Sequence, residues 1–219
     1  MSHQLIDLLD DLNNRMARMT SLVCMQVEQA IESVFRIDAD MAHQAVEMDS
    51  KIDEEEVNVE KACINVLALH QPAATDLRTV ITIIKVNADF ERIADCAVNI
   101  AQRVQPLTMV PEYEPPTDMR LMANCVLTTL RDTIRAFNMR DEDLARQVIR
   151  SDDVVDALYH QIVQDNLALM VGDGQKVNVD LSNIMIAKNL ERMADHCSNI
   201  AEDVIYIHSG RIIRHMHAT

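Results

Sequence analysis

Apolar residues recur at three- and four-residue steps along almost the whole chain, the period of a helix with one buried face. Leu5, Leu8, Leu12, Met16, Met19, Val23, Val27 and Val34 predict a first helix over 3–36. Asp38 and Asp40 supply capping carboxylates for a second over 39–69, with Met41, Ala45, Met48, Ile52, Val59 and Val66 on one face. Pro72, tolerated in a first helical turn, opens a third over 72–105. Its seam of Phe90, Ile93, Ala97, Ile100 and Val104 has the spacing of bundle packing.

The segment PLTMVPEYEPPT at 106–117 holds four of the five prolines and breaks the pattern. Beyond it the reading repeats: a fourth helix over 118–139, a fifth over 142–171, a turn GDGQK at 172–176 and a sixth ending near Ser209. The halves match in detail. DADMA at 38–42 matches DEDLA at 141–145, and FERIADCAVNIAQRV at 90–104 matches LERMADHCSNIAEDV at 190–204. The prediction is an all-α fold of two tandem three-helix bundles: residues 1–105, a Pro-rich linker at 106–117, residues 118–209, and a basic, frayed tail at 210–219.

Composition sharpens this picture. Only 3 Gly, 3% aromatic residues and no Trp in 219 residues exclude a turn-rich sandwich or barrel. A net charge of -15 repels phosphodiester backbones and anionic lipid, so the expected partners are cations and basic protein patches, not nucleic acid. The five cysteines (Cys24, Cys63, Cys96, Cys125 and Cys197) form no C-x-x-C pair and read as small buried hydrophobes in a reducing compartment. With no secretory layout at the start and no membrane-length apolar run, the expected location is the cytoplasm.

The candidate chemistry is acidic. On a wheel with Phe90 at zero, Glu91, Asp95 and Asn99 lie at about 100°, 140° and 180°, apart from the seam. Glu191, Asp195 and Asn199 repeat them, and Asp203 prolongs that stripe. On the second helix, with Met41 at zero, Asp49, Asp53, Glu56 and Glu60 lie within about 60–120°, beside the seam, and Asp49 and Asp53 recur as Asp152 and Asp156 on the fifth. If the second and third helices are antiparallel neighbours, their stripes flank one groove. An acid pair four residues apart repels itself, and a cation relieves that repulsion while gaining oxygen ligands. All-oxygen donors suit divalent or trivalent ions such as magnesium, manganese, calcium or iron. One such pair alone reads as a solvated helix face, and Arg92 and Arg192 are placed to neutralise the acids. A fold repeat, however, has no packing reason to preserve four exposed like-charge pairs. His196 beside Asp195 is a possible nitrogen donor whose counterpart is Cys96. No E-x-x-H, phosphate-binding loop or nucleophile–base grouping appears.

These residues resemble the PhoU family of bacterial phosphate-transport accessory and regulatory proteins. HQPAATDLR at 70–78 is similar to the family's QPVAxDLR, and ERIAD…NIA at 91–101 with ERMADH…NIA at 191–201 is similar to its ERIGDHAxNIA. The resemblance implies multinuclear iron or other metal sites at Asp49, Asp53, Glu91 and Asp95, and at Asp152, Asp156, Glu191 and Asp195. It also implies a homodimer without catalysis that restrains the phosphate transporter's ATP-binding subunit and a sensor histidine kinase, meeting the membrane only through those partners. The family's Gly in ERIGD is Ala94 and Ala194 here, and the second half has NVDL at 178–181 in place of a QP opening. Two other readings stand beside it: a carboxylate-bridged metal hydrolase or oxidase, and a purely structural helical interaction module.

Overall fold

The computed structural model describes residues 3–172 and 177–210. Seven helices follow in order: α1 (His3–Arg36), α2 (Ala39–His70), α3 (Ala74–Ala101), α4 (Val104–Leu107), α5 (Thr117–Met139), α6 (Glu142–Gly172) and α7 (Val177–Ser209). No strand occurs among the described residues. Apart from Gly172, which ends α6, the turn expected at 172–176 lies outside the described residues, as does the tail beyond Gly210.

The repeat is visible in the caps. The Asp38 carboxylate accepts the Met41 N–H at 2.9 Å, and Asp141 accepts that of Leu144 at 3.0 Å. Such an N-cap stabilises a helix by about 1 kcal/mol. The residues just before them, Ile37 and Arg140, both take the left-handed conformation, with φ 53. Each turn thereby reverses the chain, and the same αα-hairpin is built twice.

The third helix departs from expectation at both ends. Gln71 is left-handed (φ 42) and ends α2, so buried Pro72 lies in the connection and α3 starts at Ala74. At the other end Pro106 has no N–H for the Gln102 carbonyl, so the predicted run to 105 splits. A turn closed by the Arg103 N–H on Ile100 O at 3.0 Å leads into the one-turn α4. Val104 and Leu107 stay fully buried through this break.

Helices α1, α2 and α3 pack as one bundle and α5, α6 and α7 as its counterpart, and α3 also lies along α7 over much of its length. The seam residues Phe90, Ile93, Ala97, Ile100 and Val104 are all 0% exposed, within a single apolar core that spans both halves. Phe90 meets Phe137 of α5 edge-on, ring centroids 6.5 Å apart. The five cysteines are free, three of them buried. Among the described residues no helix is long and apolar enough to cross a membrane.

The α3–α7 contact is polar as well as apolar. Lys85 reaches Asp203 at 3.3 Å, and His196 Nδ1 reaches Asp89 Oδ1 at 3.0 Å. Both aspartates are buried, with Asp203 2% exposed. Asp203 therefore does not extend the outward acidic stripe: one turn beyond Asn199, the flank of α7 is covered by α3. His196 is likewise committed to the contact between halves.

Candidate functional site

The three-residue connection from α2 to α3 makes the two helices antiparallel neighbours, and α6 and α7 repeat the arrangement. Each pair carries its acids beside, not within, the apolar seam. Asp49, Glu91, Asp152, Asp156 and Glu191 are half-buried, while Asp53 and Asp95 together with Asp195 are exposed. Charge coupling links Asp49, Asp53, Glu91 and Asp95 in the first half and Asp152, Asp156, Glu191 and Asp195 in the second.

Electrostatics shows the grouping in the first half. Asp53 is shifted upward by burial and by the charges of Asp49 and Asp95. Glu91 is shifted upward by burial, then by Asp95, Asp53 and Glu56. Asp95 rises through burial and Asp49, with Arg192 of the other half pulling it down. Glu56, also raised, is a fifth member that the repeat does not pick out, because its equivalent in α6 is Tyr159. Asn87 of α3 ties it in, donating from Nδ2 to the Glu56 carbonyl at 2.9 Å. Gln26 of α1 donates to Asp49 Oδ1 at 3.2 Å and to Ala45 O at 3.1 Å, fixing the inner acid from behind.

In the second groove the inner acid is more deeply set. Asp152 is pushed up to about 6 by burial and by Asp195, Asp156, Asp153 and Glu191. Asp195 is raised by burial, Glu191 and Asp156, with Lys188 and His196 opposing. The Asp152 Oδ1 atom is buried and accepts no hydrogen bond among the described residues. Leaving such an oxygen unmatched costs about 1–3 kcal/mol or more for a charged group. Lys188, where the first half has Ala88, holds both Glu191 oxygens at 2.7 and 2.8 Å. The two grooves therefore differ: the first has an extra glutamate and no lysine.

None of the eight acids is in an ion pair with arginine among the described residues. Arg92 reaches back to Asp89 at 3.8 Å. Nor do any three Asp, Glu, His or Cys side chains among the described residues close on one point as a finished metal cage. Mutually repelling carboxylates favour rotamers that spread their oxygens along a groove. The all-oxygen donors, the raised pKa of Asp53, Glu91, Asp95, Asp152 and Asp195, and the unmatched Asp152 oxygen are compatible in chemistry with a hard cation.

Comparison with known proteins bears on the identity. A family model described as the PhoU domain matches twice, over residues 16–104 and 119–204, once per bundle. A phosphate-specific transport system accessory protein PhoU homolog of Pseudomonas putida is 35% identical over 211 residues, 95% of this chain and 82% of that protein. The crystal structure of PhoU from Pseudomonas aeruginosa superposes with a TM-score of 0.90 at 34% identity, covering 94% of this chain and 99% of that one. The phosphate transport system regulatory protein PhoU from Streptococcus pneumoniae gives 0.88 at 25% identity over 95% and 98%. Two copies of the domain, in register with two copies of the carboxylate motif and spread over almost the whole length, place this chain in the PhoU family.

Proposed function

We propose that the protein is a cytoplasmic accessory and regulatory protein of phosphate transport, acting as a metal-binding adaptor and not as an enzyme. Family membership carries the phosphate role, since the relatives are named for the phosphate-specific transport system. The duplicated carboxylate grooves support the metal-binding part. Asp49, Asp53, Glu91 and Asp95 would hold ions in one groove, and Asp152, Asp156, Glu191 and Asp195 in the other. A bound ion would neutralise the acids and tie α2 to α3, or α6 to α7. The chain's own residues support a structural job: Gln26 donates to Asp49, Asn87 donates to the Glu56 carbonyl, and the grooves lie outside the apolar seam. The partners in this reading are the transporter's ATP-binding subunit and the sensor histidine kinase, met by a homodimer.

Complementation tests the role. In a bacterium lacking its own PhoU, this chain is expected to restore low phosphate uptake and low starvation-gene expression in phosphate-rich medium. Reporter activity that stays at the level of the deletion strain, with the chain expressed and folded, would remove the regulatory reading.

A further inference from the structure

The duplication provides an internal control for surface chemistry: a position that one half fills with charge has no packing need for an apolar residue in the other. On the outer face of α5 and α6 that control fails. Leu121, Val154 and Ala157 stand exposed where the first half has Arg18, Lys51 and Glu54, and Leu158, at the place of Glu55, is half-buried against the core. Leu121 is 51% exposed and Val154 53%. With Cys125 and Asp153 they line an open groove of about 430 Å³ between the two helices. Val154 lies about 160–200° around α6 from Asp152 and Asp156, so this groove faces away from the carboxylate site. Exposed apolar patches bounded by polar residues mark interaction surfaces.

The charges around the groove select the occupant. Asp118 and Asp132 continue the Leu121–Cys125 row along α5, Asp153 lines the groove, and Asp165 continues the Val154–Leu158 row along α6. Arg150 on α6 and Arg135 on α5 are the basic residues on the same rows, two against the four aspartates; Arg131 is held by Glu28 and Arg146 by Glu142. A second copy of so acidic a chain would set aspartate against aspartate. We propose that the α5–α6 groove docks an amphipathic helix of another protein, its apolar residues at i, i+3, i+4 and i+7 in the groove and its lysines or arginines on the flanking aspartates. The proposal is independent of metal binding, because it uses the opposite face of α6.

Photo-crosslinking tests it with the full-length chain in its own cell extract. A benzoylphenylalanine replaces Val154, or Lys51 at the equivalent first-half position, and the crosslinked segment is mapped by mass spectrometry. The expected result is a Val154 product on a lysine- or arginine-bearing amphipathic helix of a different protein, with about tenfold less at Lys51. That product should fall about tenfold in the Leu121→Arg, Ala157→Glu background, which carries residues the fold already accepts in its first half, and fall again at high salt. Circular dichroism of the purified variant verifies that it is folded. A crosslink to a second copy, equal yields at the two positions, no product, or a product unmoved by the double substitution would each overturn the proposal.

Discussion

Phe90→Ala is expected to destabilise the whole molecule by about 3–5 kcal/mol and to do so in a single transition. Phe90 is 0% exposed at the centre of the α3 seam, and its ring stands edge-on to Phe137 at an interplanar angle of 73°. Removing it deletes the largest fully buried side chain and leaves a cavity at the contact between the halves. Because the apolar core runs through both bundles, the loss is shared. Native domains are stable by only about 5–15 kcal/mol, so the variant should unfold at far lower urea. Urea melts followed by far-UV circular dichroism, with calorimetry beside them, check this. One transition shifted as a whole is the expected result. Two transitions with only one displaced would mean that the bundles fold independently.

That inter-half contact is what the sequence shows least. The six long helices, their caps and the buried seam are legible because one apolar stripe per helix repeats at a period near 3.6 and recurs in the second half. The α3–α7 packing uses a second stripe, Lys85, Asp89 and Cys96, which reads as ordinary surface when helices are considered one at a time. The two buried carboxylates there are matched across the contact, Asp203 by half-exposed Lys85 and Asp89 by His196. The informative signal is where the repeat differs: Cys96 against His196, Arg103 against Asp203, Asp89 against Asn189 and Lys85 against Met185. The break at Gln102 was also readable, from Pro106 four residues on.

Asp152→Asn is the second large effect, and it is stabilising. A carboxyl pushed from 3.8 to about 6 by burial and neighbouring acids is more easily protonated in the native state than in the unfolded one. Its contribution is therefore fully present below about pH 4 and lost as pH rises through about 6. The undiscounted shift is worth about 3 kcal/mol, and partial exposure reduces this to about 1–2 kcal/mol. In chelator, Asp152→Asn should gain that amount over the unsubstituted chain at about pH 8, with little gain at about pH 4. Paired urea melts at the two pH values read the difference. Equal stability at both would mean that Asp152 does not feel the other acids.

The candidate site was legible in kind but not in detail. The i,i+4 acids could be located because both halves keep them, and the wheel placed them beside the seam, where the structure has them. The wheel also put Glu56 in the stripe, although its counterpart is Tyr159; Gln26 and Lys188 have no counterparts of the same type (Thr129 and Ala88), so a repeat-based reading passes over them. These residues make the two grooves unequal. The α5–α6 groove escaped for a related reason: Leu121 and Val154 extend the apolar pattern of their helices and look like more core.

The central claim is that the duplicated carboxylates grip positive ions. Calorimetric titration of the chelator-stripped protein with Mn²⁺ tests it most directly, against Glu91→Gln, Asp95→Asn, Glu191→Gln, Asp195→Asn in one chain. Loss of an outer partner alone costs about 10–100-fold in metal affinity, so loss of ligands in both grooves should cost no less while helicity is retained. The account predicts saturable binding by the original chain and its near-abolition in the variant. A chain that takes up no ion, or a variant that takes up as much, would contradict it.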